Sequence, residues 1–280
     1  ERGLPAMHEY MKLRGEVLNL KPSGMQDIYV PLAESRKEDI TYEEASSIVM
    51  DALAPLGKEY GSVLKEAFES RWIDVFETKG KTSGAYSFGC YDSLPYILLN
   101  FQGKKEDVFT LAHELGHSMH SYYTRKTQPY VYGSYSIFTA EVASTVNEIL
   151  LLDHLTGLAD SDEEKAYLIN SHIDGFRATV FRQTMFSEFE KASHEQVESG
   201  EALTVDWLNE TYANLNKKYY GDTVNTDRRI SAEWSRIPHF YNAFYVYKYA
   251  TGYCAATAIA GRILKEGAPA AQEYIEFLKG

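Results

Sequence analysis

The sequence has little cysteine, no long apolar run and fewer basic than acidic residues. Its two cysteines, Cys90 and Cys254, form no disulfide framework, which predicts a reducing, cytoplasmic location. No apolar run approaches the ~20 residues needed to cross a membrane. Because 40 acidic residues face 28 basic ones, the formal net charge is −12, which argues against nucleic acid or an anionic membrane as a partner.

Against these absences stands one motif, H-E-L-G-H at residues 113–117. On an α-helix, positions i and i+4 project from the same face one turn apart. Two imidazoles placed in this way can bind one tetrahedral zinc ion, and the glutamate between them can reach a water on that metal. We therefore predict one Zn²⁺ per chain, with His113 and His117 as ligands and Glu114 as general base on the zinc-bound water.

The third protein ligand is expected on the next helix. The motif lies in a helix predicted over residues 106–123, and its extension to a third histidine fails because Tyr123 holds that position. His120 is then a surface histidine or one behind the ligands. A second helix, predicted over residues 137–155, is apolar except for a stripe of polar residues at positions i, i+3, i+4 and i+7. From this stripe we predict Glu141 as third ligand and Glu148 as a carboxylate that orients a ligand histidine. The alternative for Glu148 is a surface position.

Helical patterns dominate the rest of the chain, and strand patterns are few. Capping boxes at residues 41–44 and 161–164 predict the starts of two long helices. The predicted helices cover residues 42–70, 106–123, 137–155, 162–199, 204–220, 239–264 and 268–279. The predicted strands cover residues 28–32, 84–88 and 96–101. The expected fold class is mostly α (α+β, zincin-like), with a small β-sheet beside the H-E-x-x-H helix.

These motifs together resemble the thimet oligopeptidase and oligoendopeptidase F family of zinc metallopeptidases. Residues 113–120 and 138–144 with Glu148 are similar to its zinc site, and residues 83–87 and 95–101 match it upstream. Residues 237–250 resemble the oligoendopeptidase F branch in particular. Because family members carry an additional N-terminal helical lobe, we expect residues 1–280 to form a catalytic domain, the C-terminal part of a longer chain without that lobe.

The resemblance implies further catalytic residues after Pro238. It implies that His239 and a tyrosine of the following aromatic run donate hydrogen bonds to the oxyanion. The spacing places Tyr241, Tyr245 and Tyr249 on one helical face. We favour Tyr245, followed by Tyr241.

A substrate-binding strand is also expected. The pattern of residues 96–101 fits a buried core strand as well as an exposed edge strand. The resemblance favours an edge that binds an extended peptide by its backbone, where a glycine allows close approach. The expected substrate-binding residues are Gly84, Ala85, Tyr96, Ile97 and Leu98.

The function expected from these parts is zinc-dependent hydrolysis of internal bonds in short oligopeptides. A zinc aminopeptidase fits less well, because the sequence has no G-x-M-E-N-type loop and the spacing from His117 to Glu141 is long. One alternative is a zinc exopeptidase of related fold, similar to dipeptidyl carboxypeptidases. Another is an inactive helical peptide-binding module, against which the intact Glu114 argues.

Overall fold

The structure, a computed structural model, describes residues 1–20, 23–33 and 39–280. Most of these residues are helical, as predicted. The helices are α1 (Leu4–Val17), α2 (Tyr42–Ala52), α3 (Lys58–Glu69), α4 (Lys105–Thr127), α5 (Ile137–Leu158), α6 (Asp162–Gly175), α7 (Arg182–Glu198), α8 (Val205–Tyr220), α9 (Arg228–Ser231), α10 (Tyr247–Glu266) and α11 (Ala268–Leu278). Over the described residues, no helix is both long enough and apolar enough to cross a membrane.

Within the described residues, five short strands form two small sheets. They are β1 (Ser23–Gly24), β2 (Ile73–Asp74), β3 (Tyr86–Phe88), β4 (Tyr96–Leu98) and β5 (Val224–Asn225). β1 pairs with β5 in parallel. The larger sheet has the order β2-β4-β3, in which β4 runs parallel to β2 and antiparallel to β3. The predicted fold class, mostly α with a small sheet before the motif helix, is confirmed.

The chain divides into two compact units, each with its own apolar core. Unit 1 comprises Glu1–Glu34 and Ile169–Thr251, and unit 2 comprises Ser35–Leu168 and Gly252–Gly280. The core of unit 1 is rich in aromatic and methionine side chains from α1, α7 and α8. The core of unit 2 is built from α2 to α5, β4, α10 and α11. Burial of these apolar faces supplies the main driving force for folding each unit.

Two of the predicted long helices are interrupted in the structure. The capping box at Thr41 and Glu44 is present, since each side chain accepts the backbone N–H of the other residue. The predicted helix 42–70 nevertheless ends at Ala52, because Pro55 cannot donate the next helical hydrogen bond and Gly57 turns with φ of +93°. In the predicted helix 162–199, a π-helical stretch, Phe176–Phe181, separates α6 from α7.

The helix predicted over residues 239–264 begins later, at Tyr247. Residues Pro238–Tyr241 form a 3₁₀ turn, and Phe244 then adopts φ of +56°, a left-handed conformation that a helix cannot contain. The prediction that Tyr241 and Tyr245 share a helical face is therefore wrong.

The strand predicted over residues 28–32 is also wrong. A 3₁₀ turn, Met25–Tyr29, occupies this region, and the Asp27 carboxylate accepts the backbone N–H of Gly24 at 2.7 Å. This local hydrogen bond favours a turn over a strand. Within this turn Met25 and Ile28 are buried.

Candidate metal centre

A glycine allows the two helices that carry the predicted ligands to approach each other closely. A β-carbon built on Gly116 of α4 would lie 2.6 Å from both the Ala143 carbonyl oxygen and the Ser144 Cα of α5. Real side chains do not tolerate such a distance, so the backbones can meet here only because residue 116 has no side chain. This contact brings Glu141 of α5 opposite the two histidines of α4.

The three predicted ligand atoms converge on one point. His113 Nε2 and His117 Nε2 lie 3.2 Å apart, and Glu141 Oε2 lies 3.5 Å from each of them. Ligand atoms about 2.0–2.2 Å from a tetrahedral zinc ion would be about 3.3–3.6 Å apart. The residues therefore fit a metal ion, and among the described residues they form the one His/Cys/Asp/Glu group with this convergence.

Two of the three predicted ligands have polar neighbours that can fix their orientation. The Glu148 carboxylate hydrogen-bonds His113 Nδ1, and its role in orienting a ligand histidine stays a prediction. Ser144 Oγ donates to Glu141 Oε2 at 2.9 Å. Burial lowers the pKa of His113, but the hydrogen bond and charge of Glu148 outweigh this and raise that pKa. Burial and the neighbouring His113 lower the pKa of His117. A ligand histidine held in this way keeps one nitrogen available for a metal.

Glu114 lies beside this group and is buried, with 6% of its surface exposed. Burial raises the pKa of its carboxyl group, whereas His113 and the backbone N–H of Ser87 act in the opposite direction. Its Oε2 is buried without a hydrogen-bond partner. An unpartnered buried carboxylate oxygen is costly, so this atom is suited to accept a proton or a water that enters the site.

The sheet beside α4 places Ser87 at its open edge. β4 is the middle strand, so the prediction that Tyr96, Ile97 and Leu98 form an exposed edge is wrong. The two edges are formed instead by β2 and β3, and Ser87 lies on β3. Ser87 contacts α4 by a 2.8 Å hydrogen bond between its Oγ and that of Ser118. The sequence could not show which of β3 and β4 is the edge strand, because this depends on the pairing of β4 with β2.

Gly84 and Ala85 lie just before this edge strand and line a cavity of about 430 Å³. The side chain of Asn100 shapes its wall by donating to the Gly84 carbonyl at 2.8 Å. Thr110 of α4, three residues before His113, lines the same cavity. The cavity thus borders the motif helix, and the role of Gly84 and Ala85 in substrate binding stays a prediction.

His120 is a core residue rather than a surface one. It is 1% exposed, and its ring stacks on Tyr135 with centroids 3.6 Å apart. Burial, with a smaller effect of His117, lowers its pKa to about 3, so the ring is neutral. Tyr135 also donates to the His117 carbonyl at 3.3 Å, and nothing in the local sequence pattern pointed to this residue.

The residues predicted to stabilise the oxyanion lie in unit 1. His239 stacks on Tyr245 with centroids 5.7 Å apart, and the Tyr249 hydroxyl lies 3.4 Å from that of Tyr245. Tyr241 is 85% exposed and lies outside this aromatic group. The structure therefore groups His239 with Tyr245 rather than with Tyr241. Their catalytic roles stay predictions.

Comparison with known proteins gives a consistent result. The model of peptidase family M3 matches residues 4–280. Oligopeptidase PepF of Bacillus subtilis (strain 168) is 54% identical over 99% of this chain and 41% of its own length. An oligoendopeptidase F homolog of Lactococcus lactis subsp. lactis (strain IL1403) is 48% identical over 99% of this chain and 46% of its own length. The crystal structure of oligoendopeptidase-F from Enterococcus faecium is 36% identical, with a TM-score of 0.75 over 99% of this chain and 42% of that one.

The chain spans less than half the length of each of these proteins. Along almost all of that span, however, both sequence and fold agree with them. The predicted resemblance is confirmed at the level of the family, whose model is one of peptidases. The chain belongs to peptidase family M3.

Proposed function

We propose that this chain is the catalytic part of a zinc-dependent endopeptidase that hydrolyses internal bonds of short oligopeptides. The observation that carries the proposal is the convergence of three ligand atoms, 3.2–3.5 Å apart, beside the unpartnered carboxylate oxygen of Glu114. Family M3 consists of metallopeptidases, which implies a catalytic metal. The names of the relatives, oligopeptidase and oligoendopeptidase F, support oligopeptides as substrates and internal cleavage.

The donor set supports zinc as the metal. Two imidazole nitrogens and one carboxylate oxygen are typical of catalytic zinc sites, in which a fourth position stays open. When bound, zinc would polarise the scissile carbonyl and lower the pKa of a nearby water. His113, His117 and Glu141 would hold it, and Glu148 and Ser144 would keep two of these ligands oriented.

Glu114 would act as the general base. Its free Oε2 would accept the proton that a water loses as it attacks the scissile carbonyl, and would then deliver that proton to the leaving amine. The Ser87 backbone N–H lowers the pKa of the Glu114 carboxyl group and so favours its charged form. We further propose that His239 and Tyr245 donate hydrogen bonds to the oxyanion.

The open edge of β3 would hold the peptide. The N–H of Ile97 donates to the Trp72 carbonyl on the β2 side, so the Ser87–Ile97 pair is of the non-hydrogen-bonded kind. The polar backbone groups of Ser87 therefore face away from β4. Its carbonyl can accept an N–H from an extended peptide with little demand on sequence. The two free cysteines, both exposed, support a reducing, cytoplasmic setting.

Mass spectrometry of the products from a mixed library of short peptides tests this function. The zinc-loaded chain is expected to cut at internal bonds, and the Glu114→Gln variant serves as a blank. Stepwise release of C-terminal dipeptides would indicate that the chain is an exopeptidase and not an endopeptidase. Absence of any zinc-dependent cleavage would contradict a peptidase activity of this chain.

A further inference from the structure

The larger sheet presents an uncovered aromatic face beside the open edge of β3. Tyr86, Phe88 and Tyr96 are 49%, 70% and 49% exposed. In the register of the sheet, Phe88 lies directly opposite Tyr96, and Tyr86 lies opposite Leu98. Because side chains alternate along a strand, these four residues share the outer face, whereas Ser87 and Ile97 point to the inner face beside α4. An outer face of this kind usually packs against something apolar.

The position of this face relative to Glu114 indicates which kind of ligand binds to it. Ser87, between Tyr86 and Phe88, is the residue whose backbone faces both the open edge and the Glu114 carboxylate. A strand added at this edge would place one residue opposite Ser87, on the inner face near Glu114. Its two neighbours would stand opposite Tyr86 and Phe88, on the outer face.

We infer that Tyr86 and Phe88 select large apolar side chains at two alternate positions of the peptide substrate, one on each side of the residue opposite Ser87. The inference rests on the proposed function. Aromatic residues on an edge strand are stabilised by apolar or aromatic side chains directly opposite them on the next strand. Among the described residues, no strand pairs with the outer side of β3 to supply such a partner to its exposed rings. The occupant is thus an extended peptide with apolar side chains two residues apart.

The two positions differ in selectivity. Phe88 lies opposite Tyr96, so a substrate side chain placed opposite Phe88 meets an aromatic surface formed by both rings. Across the sheet, Tyr86 lies opposite Leu98, and Leu98 lies opposite Asp74. The Asp74 side chain is 69% exposed and forms an ion pair with Lys81 at 3.2 Å. A charged group at the end of this row of residues weakens its apolar character. The position opposite Phe88 is therefore the more selective of the two.

The test compares peptides that carry phenylalanine or alanine at each of the two positions. The zinc-loaded chain is expected to favour phenylalanine about fivefold in kcat/KM opposite Phe88 and less opposite Tyr86. In Phe88→Thr the preference falls below about twofold, because threonine keeps the strand but removes the aromatic ring. Leu158→Thr, at the exposed end of α5, is the matched control and keeps the full preference. An undiminished preference in Phe88→Thr would overturn the inference.

A binding measurement separates this inference from the proposed function. The dissociation constants of the same fluorescent peptides are measured with zinc-loaded Glu114→Gln, with and without Phe88→Thr. Tighter binding of the phenylalanine peptide that is lost in Phe88→Thr supports the aromatic surface, even if the wild-type chain hydrolyses nothing. Equal binding of both peptides would overturn the surface, even if hydrolysis is observed.

Discussion

Gly116 of α4 lies directly against the backbone of Ser144 on α5, and a β-carbon at residue 116 would come within 2.6 Å of the Ser144 Cα. The two histidine ligands flank this glycine on α4, and Glu141 lies one turn before Ser144 on α5. The distance between the two helices therefore determines whether the three ligand atoms can meet. We therefore predict that residue 116 affects metal binding through the packing of the two helices.

Gly116→Ala is expected to weaken both zinc binding and stability. The added methyl group forces the helices apart, and overpacking of this kind costs about 1–3 kcal/mol of unfolding free energy. Gly157→Ala on α5 is the control, because its β-carbon would meet nothing within 4 Å and should raise stability by up to about 1 kcal/mol. Zinc titration and urea unfolding measure both effects. Equal zinc affinity in Gly116→Ala and wild type would contradict this role of Gly116.

The residues that orient the ligands should tune zinc affinity without being ligands. Ser144→Ala removes a hydrogen bond to Glu141, and Glu148→Gln replaces the charged acceptor of the His113 hydrogen bond with a weaker, neutral one. Changes of this kind typically lower metal affinity about 10–100-fold, and we expect about 10-fold here. Asp153→Asn, an exposed carboxylate on the same helix, should leave affinity unchanged. Competition with a zinc chelator provides the measurement. A loss of affinity in Asp153→Asn as large as in Glu148→Gln would indicate general charge effects instead.

His120 should make unit 2 sensitive to acid. Burial lowers its pKa from 6.5 to about 3, so between these values the unfolded chain binds a proton that the folded chain does not. Stability is therefore fully present above pH 6.5 and falls as the pH drops toward 3, by about 1.4 kcal/mol per pH unit at most. His120→Phe keeps the ring stacked on Tyr135 but has no proton to bind.

The measurement is urea unfolding of metal-free wild type and His120→Phe at several pH values between 7.5 and 4. The variant should gain stability relative to wild type as the pH falls, because the two ligand histidines are present in both proteins and their effects cancel. Parallel pH curves would show that His120 is protonated in the folded state.

Phe244 should tolerate glycine better than alanine. Its φ of +56° costs a residue with a β-carbon about 1–2 kcal/mol, and its N–H is held by the Glu190 carboxylate at 2.6 Å. Both substitutions remove the phenyl ring that stacks on His194, so they differ only in the backbone cost. We expect Phe244→Gly to be about 1 kcal/mol more stable than Phe244→Ala.

A matched pair on a regular helix provides the control for Phe244. At Leu264 of α10 the order should reverse, with glycine about 1 kcal/mol less stable than alanine. Denaturant unfolding of the four variants gives the comparison. The same order of stability at both positions would contradict a strained backbone at Phe244.

The parts of the structure that could be predicted from sequence are those that local spacing determines. The motif helix, the following helix with Glu141 and Glu148, and the capping box at Thr41 all follow from contacts within a few residues. Phe244 could not be predicted, because the group that holds its backbone, Glu190, lies 54 residues away. The edge position of β3 depends likewise on how β4 pairs with β2.

The effect of Ser87 on Glu114 could not be predicted from the sequence, for a different reason. It acts on Glu114 through its backbone N–H, a group that every residue except proline carries. For Gly116 the sequence offered weak evidence, since a glycine inside an apolar helix often marks a position where another backbone approaches closely. Only the structure identified α5 as the helix it approaches.

The most direct test of the metal-dependent mechanism measures zinc content and peptide hydrolysis together in two variants. Glu114→Gln is expected to keep one zinc per chain and to lose hydrolysis, because the ligands remain and the base is gone. Glu141→Ala is expected to lose both. Retained hydrolysis in Glu114→Gln, or a full zinc content in Glu141→Ala by elemental analysis, would contradict the account.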